Sequence, residues 1–436
     1  MRNQAVVKLF VLSLLLGLSL IPLGLIWGVV ADRARYRDRV VGDVAQSSAR
    51  AQLLFGPILV IETPTRRIGS ASDSTVHRQE RVVLPESLNI GSDVRVESRQ
   101  RGIYRVPVYR AMTHLRATFA TPAPAEVEPG YAAVGPARAR LAFGVSDPRG
   151  LRVVPIVRLG DTPLPVSPQT DLAWVGPGFS AALDLPGGRP SWDVDARLEL
   201  TGTDHLGFVP LGANTDVTMD GDWPHPGFTG GFSPDERRIA PKGFHARWRV
   251  SRFATGVPSA IAARERVDQF GPQGNDLSVR FVQPVDVYQQ SERAVKYGIL
   301  FVALTFVAFF LFETLRRLAI HPIQYGLVAA ALAIFFLLLV SLSEHLPFAM
   351  AYGVAGGACA GLLTFYTGHM LGSSGRGIGF GALLATLYGL LYVILQSEDY
   401  ALLLGALLLF GALGVVMIAT RRVNWYRLNE APTGGS

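Results

Sequence analysis

Four residues at the ends of long apolar runs are of the types that proton transfer and metal binding use: Glu344, His345, Glu398 and Asp399. Three carboxylates and an imidazole form an acceptable donor set for a divalent cation. The same groups can relay protons, and ionisable residues beside a membrane span are candidates for function. The two pairs lie in separate loops, so spacing does not enforce one site. Helix capping competes with the site reading. Pro347 suits the first turn of a helix opening near Glu344, and Ser397 can cap the one opening near Glu398. All three carboxylates then sit at helix N-termini, where the macrodipole favours anions. Glu313, Arg317, His321 and Gln324 surround a turn at the opposite ends of these runs. Glu313 and Arg317 have the spacing of an i,i+4 ion pair, and His321 with Gln324 extends them into a structural polar network. A third set lies in the loop DGDWPHPGFTGGF, Asp220–Phe232. There Trp223, His225 and Phe228, set between prolines, form either a rigid aromatic binding surface for glycan or peptide, or a cover over one end of a core.

Common catalytic signatures are missing. The chain holds no Walker A sequence, HExxH, GxSxG, kinase set or CxxCH. Its one cysteine, Cys359, lies in an apolar run, which excludes an intramolecular disulfide and a multi-cysteine zinc site. No catalytic residue, cofactor or resident metal is expected, and the chain reads as non-enzymatic.

These residues are positioned by elements of two kinds. The 436 residues are 49% hydrophobic and only 17% charged, against about 25% charged in soluble domains. The deficit is concentrated in apolar runs at 9–31, 297–315, 323–342, 347–366, 377–396 and 400–420, in which Glu313 is the one charged residue. The first spans about 34 Å as helix, enough to cross a bilayer, and reads as an uncleaved signal anchor whose Gly24 and Gly28 offer a close-approach face. Gly353, Gly357 and Gly361 repeat every four residues, which predicts a stripe for internal helix packing. Between Gln52 and Phe281 the pattern is β: short runs rich in Val, Ile, Phe and Tyr, punctuated by Gly, Pro, Asn and Asp. The punctuation recurs at about 8–12 residues, the spacing of a sandwich or barrel, with one or two sandwiches both open.

The expected fold class is an α+β membrane protein. Residues 1–31 form an N-terminal transmembrane anchor, 32–296 a large periplasmic all-β, sandwich-like domain, 297–426 a five-helix transmembrane bundle, and 427–436 a disordered cytoplasmic tail. Orientation follows from the short loops. Arg316, Arg317, Arg376, Arg421, Arg422 and Arg427 mark one side, while Ser343-Glu344-His345 and Ser397-Glu398-Asp399 on the other carry no Lys or Arg. The arginine side is the cytoplasmic one, which places both termini inside. The arginines between Asp32 and Arg39 oppose this locally, but they begin a long translocated domain, where the rule is weaker. The net charge of +7 sits largely beside apolar segments, which fits lipid headgroups and topology and not nucleic acid. Partners are expected to be the lipid bilayer and a periplasmic or envelope protein, glycan or lipid-linked molecule. Membrane transport or lipid handling at the four-residue outer cluster is the alternative function.

Several stretches carry a family resemblance: RGIYRVPVY (Arg101–Tyr109), DWPHPGFTGGF (Asp222–Phe232), GFHARW (Gly243–Trp248), HPIQY (His321–Tyr325), LLLVSLSEHLPFAMAY (Leu337–Tyr352), SEDYALLLGALLLF (Ser397–Phe410) and TRRVNWY (Thr420–Tyr426). In this order they resemble the CreD family of inner-membrane proteins, from about Leu54 to Tyr426. The resemblance implies a setting in cell-envelope integrity, colicin tolerance and the response to β-lactams, as an output of the CreBC two-component system. It implies no reaction.

Overall fold

The computed structural model describes residues 4–68, 75–102, 104–121, 127–184, 191–266, 275–281, 287–316, 321–370, 372–397 and 400–421. The chain divides into two compact units, Met1–Asp38 with Val285–Ser436, and Arg39–Pro284.

Helix α1 (Gln4–Ser47) belongs to both units. The apolar anchor read at 1–31 is thus the first part of a longer helix. Its polar continuation stays helical because Arg35 pairs with Asp32 one turn away at 2.7 Å, a spacing that supports helix. Val40 and Val44, four residues apart, give that stretch a buried face.

The second unit contains β1 (Gln52–Arg67), β2 (His77–Val83), β3 (Ser87–Arg101), β4 (Tyr104–Ala120), β5 (Tyr131–Ala133), β6 (Arg138–Val145), β7 (Ile156–Leu159), β8 (Thr162–Pro163), β9 (Val166–Ser167), β10 (Gly178–Leu183), β11 (Ser191–Thr203), β12 (His205–Phe208), β13 (Asn214–Gly221), β14 (Pro226–Gly230), β15 (Glu236–Ala240), β16 (Gly243–Ser251), the short helix α2 (Val257–Ala262) and β17 (Leu277–Phe281). Among the described residues these strands make two sheets. One runs β14-β17-β12-β1-β6-β10-β9, with β2 and β5 also on β1; the other runs β15-β16-β13-β3-β4-β11-β7-β8. Side-chain alternation explains the layering. On β11, Trp192, Val194, Ala196, Leu198 and Leu200 are buried, while Asp193 and Arg197 are exposed. Residues of both sheets share one hydrophobic core, so the unit is a single sandwich. Its largest buried side chains include Trp248, Tyr109, Phe119, Phe143 and Phe179, with Phe143 stacked on Phe179 at 4.5 Å. On β4 the buried face switches. Tyr109 and Ala111 join the core, whereas Val106 and Val108 pack with Val44 of α1.

The first unit continues with α3 (Val287–Arg316), α4 (Pro322–Ser343), α5 (Phe348–Met370), α6 (Ser374–Gln396) and α7 (Ala401–Thr420). With α1, six helices among the described residues are long and apolar enough to cross a membrane. Their core joins Leu23, Ile26 and Val30 of α1 to Phe301, Phe335, Tyr352 and Tyr388. The glycine stripe is a correction. Gly353, Gly357 and Gly361 are exposed, and an added Cβ there meets nothing within 4 Å. The close approach between α5 and α6 is made instead by Gly377 and Gly381 against Gly368 and Thr364. α7 is peripheral; Gly405 is its buried residue among those described.

Candidate functional site

At one end of the membrane unit, Glu344 is the C-cap of α4 and does not lie in the first turn of the next helix. A helix C-terminus disfavours an anion, so the dipole account of this residue is overturned. A cation offsets the penalty instead: Arg33 Nε of α1 lies 3.5 Å from Glu344 Oε1, and the Glu344 side chain is only 13% exposed. His345 is exposed, and its backbone N–H donates to the Leu342 carbonyl at 3.0 Å. Glu398 and Asp399 lie outside the described residues. The structure therefore places Glu344 beside Arg33, a residue that composition marked only as a local exception to the charge rule. Because Arg33 is half exposed, the coupling is modest. A double-mutant cycle of Arg33→Gln and Glu344→Gln, read as thermal stability of the full chain in detergent, is expected to give about 1 kcal/mol or less. Additive losses would remove the pair from the account.

At the turn before α4, His321 is the N-cap. Its Nδ1 accepts from the Ile323 N–H at 3.3 Å, while its own backbone N–H donates to Gln324 Oε1 at 3.1 Å. This is a reciprocal capping box. Glu313 lies in α3 with its side chain outside the described residues, as is all of Arg317.

The stretch expected to be one loop is mostly strand: Asp220 and Gly221 end β13, Asp222–His225 form a short connection, and Pro226–Gly230, with Phe228, form β14. Asp222 fixes the start of that connection by accepting from the Val96 N–H at 2.8 Å. Trp223 and Phe228 pack against the sandwich core. Phe228 meets Phe244 edge-on at 6.2 Å and Trp248 at 6.0 Å, and the Trp248 indole donates to the Phe232 carbonyl at 3.1 Å. His225 is exposed. The two aromatic rings thus cover core, and the imidazole remains at the surface.

Two polar assemblies were not singled out by sequence reading. One is the outward face of the second sheet. Asp195 lies between His114 at 2.5 Å, Arg197 at 3.5 Å and Arg116 at 3.8 Å. Asp216 takes two hydrogen bonds from Arg247, at 3.1 and 2.6 Å, and Asp220 pairs with His245 at 2.7 Å. These groups share a face because they occupy alternate positions on paired strands; the alternation is visible in the sequence, the pairing is not. The other assembly is at the junction of α1 and β1. Asp147 accepts from the Arg50 N–H at 3.0 Å and from the Arg149 guanidinium at 2.9 and 2.6 Å. Arg149 also donates to the Gln46 carbonyl of α1. The Arg149 guanidinium holds the Asp147 carboxyl down at about 2. Just before β17, burial pushes the Asp276 carboxyl up, against the hydrogen bond from Ser278.

A family model described as inner membrane protein CreD matches residues 4–426. The chain is 36% identical over 423 residues to the inner membrane protein CreD of Escherichia coli (strain K12), covering 94% of this chain and 91% of that relative.

Proposed function

We propose that this chain, which belongs to the CreD family of inner membrane proteins, holds its β unit on the periplasmic side of the bacterial inner membrane. There it supports envelope integrity and the response to β-lactams by presenting a charged sheet face to an envelope partner. The orientation rests on one observation, the asymmetry of the short connections. Arg376 opens α6 and Arg421 closes α7, whereas Ser343-Glu344-His345 between α4 and α5 carries no Lys or Arg. Cytoplasmic loops collect Lys and Arg. The binding role is supported by the second sheet, whose carboxylates are tied across strands to Arg and His and so offer a surface ordered before any partner arrives. A partner meeting such a face loses little side-chain entropy. The ion pair between Arg33 and Glu344 gives that carboxylate a structural role and favours a scaffold over a transport site.

One engineered cysteine tests both parts. The native Cys359 is buried, so Arg197→Cys, exposed on the charged face, reports alone. In cells with a permeabilised outer membrane, an impermeant maleimide is expected to label it, and a cross-linker attached there is expected to capture an envelope component. Asp195→Lys is expected to reduce that capture at least severalfold. Labelling only after rupture of the inner membrane refutes the orientation, and capture unaffected by Asp195→Lys refutes the face.

A further inference from the structure

A groove of about 680 Å³ lies between α3, α6 and α7 in the membrane unit, with Leu304, Leu383, Leu390, Gly411 and Val415 among its walls. The hydroxyl of Thr386, which also lines it, is used within its own helix, donating to the Ala382 carbonyl at 2.9 Å. A Cβ added at Gly411 meets nothing within 4 Å. Along α7 the lining runs from Leu404 to Ala419, about 22 Å at helical rise. The groove walls are apolar over that length, which suits an acyl chain.

Two arginines lie beyond one end of the groove. Arg376 lies two turns before Leu383 on the same face of α6, in its first turn, where the dipole already favours an anion. Arg421 is the C-cap of α7, two residues beyond Ala419. Antiparallel α6 and α7 bring these two ends to the same level. Basic residues at the end of an interhelical apolar groove fit a lipid with an anionic headgroup.

We propose that this groove is a binding site for one anionic phospholipid, with an acyl chain between α3, α6 and α7 and its phosphate at Arg376 and Arg421. The site holds a specific lipid where bulk bilayer would otherwise fill the gap beside a loosely packed α7.

The test is native mass spectrometry of the full chain in detergent, loaded with phosphatidylglycerol or phosphatidylcholine of identical acyl chains. The wild type is expected to retain phosphatidylglycerol roughly tenfold better. Arg376→Gln with Arg421→Gln is expected to bring the two lipids within about twofold of each other. Gly411→Phe, which fills the groove, is expected to lower retention of both, and Leu402→Phe, on the outward face of α7, neither. Equal retention of the two lipids by the wild type overturns the proposal without any variant. So does a preference that survives the double arginine change, or displacement by inorganic phosphate alone, which would assign the arginines to a free anion. A dimer lost in Gly411→Phe would assign the groove to a second copy and overturn it equally.

Discussion

Replacing Asp147 with alanine is expected to lower the melting temperature of the full chain in detergent by roughly 5–10 °C. The Asp147 side chain is only 7% exposed and stands where helix becomes sheet. It accepts from the Arg50 N–H at 3.0 Å and the Arg149 N–H at 3.1 Å. Gln52 closes the back of the site, donating to the Asp147 carbonyl at 2.9 Å and the Thr201 carbonyl at 3.3 Å. Alanine removes the acceptor from two backbone donors, each costing about 1–3 kcal/mol if left unsatisfied. It also frees Arg149, which ties the Gln46 carbonyl of α1 to this corner. The charge has its own signature. The folded carboxyl titrates at about 2 against an ordinary 3.8, which corresponds to about 2 kcal/mol, an upper figure because the half-exposed Arg149 screens the pair. A depressed pKa stabilises above the unfolded value and is lost as pH falls through the folded one. The gap in melting temperature between wild type and Asp147→Asn is therefore expected to be constant above about pH 5 and to close between about pH 4 and pH 2. A gap that does not narrow would mean that shape, not charge, holds the corner.

That corner also shows what could be read in advance and what could not. Alternation along β11 is plain in SWDVDARLEL, so its faces were legible. The parallel pairings of β1 with β12 and of β3 with β13 join segments far apart in sequence, and no local pattern specifies them. For that reason the sequence alone does not show the charged residues of the second sheet meeting around Asp195. The crossings were legible because apolar length is a property of the segment alone. The reach of α1 was only half legible: Val40 and Val44 have helical spacing, but their partners Val106 and Val108 are on β4. Pro347, a helix-start signal, draws Glu344 toward the next helix in the sequence, yet α5 begins only at Phe348 and Glu344 caps the end of α4. Its partner Arg33 is more than three hundred residues away in sequence. The aromatic stretch reads as one loop, but only Asp222–His225 is a connection; Phe228 lies on β14, paired to β17, and only packing reveals that Trp223 and Phe228 face the core.

The glycine stripes press the same point to its largest expected effect in the membrane unit. Gly377→Ala is expected to cost about 2–3 kcal/mol, whereas Gly357→Ala is expected to be neutral or slightly stabilising. Both are single methyl additions to a helical glycine, so propensity alone predicts the same gain of about 1 kcal/mol for each. Surroundings separate them. A Cβ at Gly377 would sit 2.6 Å from Gly368 Cα, 2.8 Å from Gly368 N and 2.9 Å from the Thr364 carbonyl oxygen. All three are backbone atoms, so no rotamer change relieves the clash, and α5 and α6 must part. Parting them strains the Tyr352 hydroxyl, which donates to the Tyr388 carbonyl at 2.7 Å, and the ring of Tyr388 against Phe301 at 4.5 Å. A Cβ at Gly357 enters open space. Unfolding of the two variants in mixed detergent micelles decides the matter. If Gly357→Ala were the unstable one, the helices would meet through the stripe that the sequence made conspicuous. The order expected here places the contact at Gly377 and Gly381, and leaves Gly353, Gly357 and Gly361 on an outward surface.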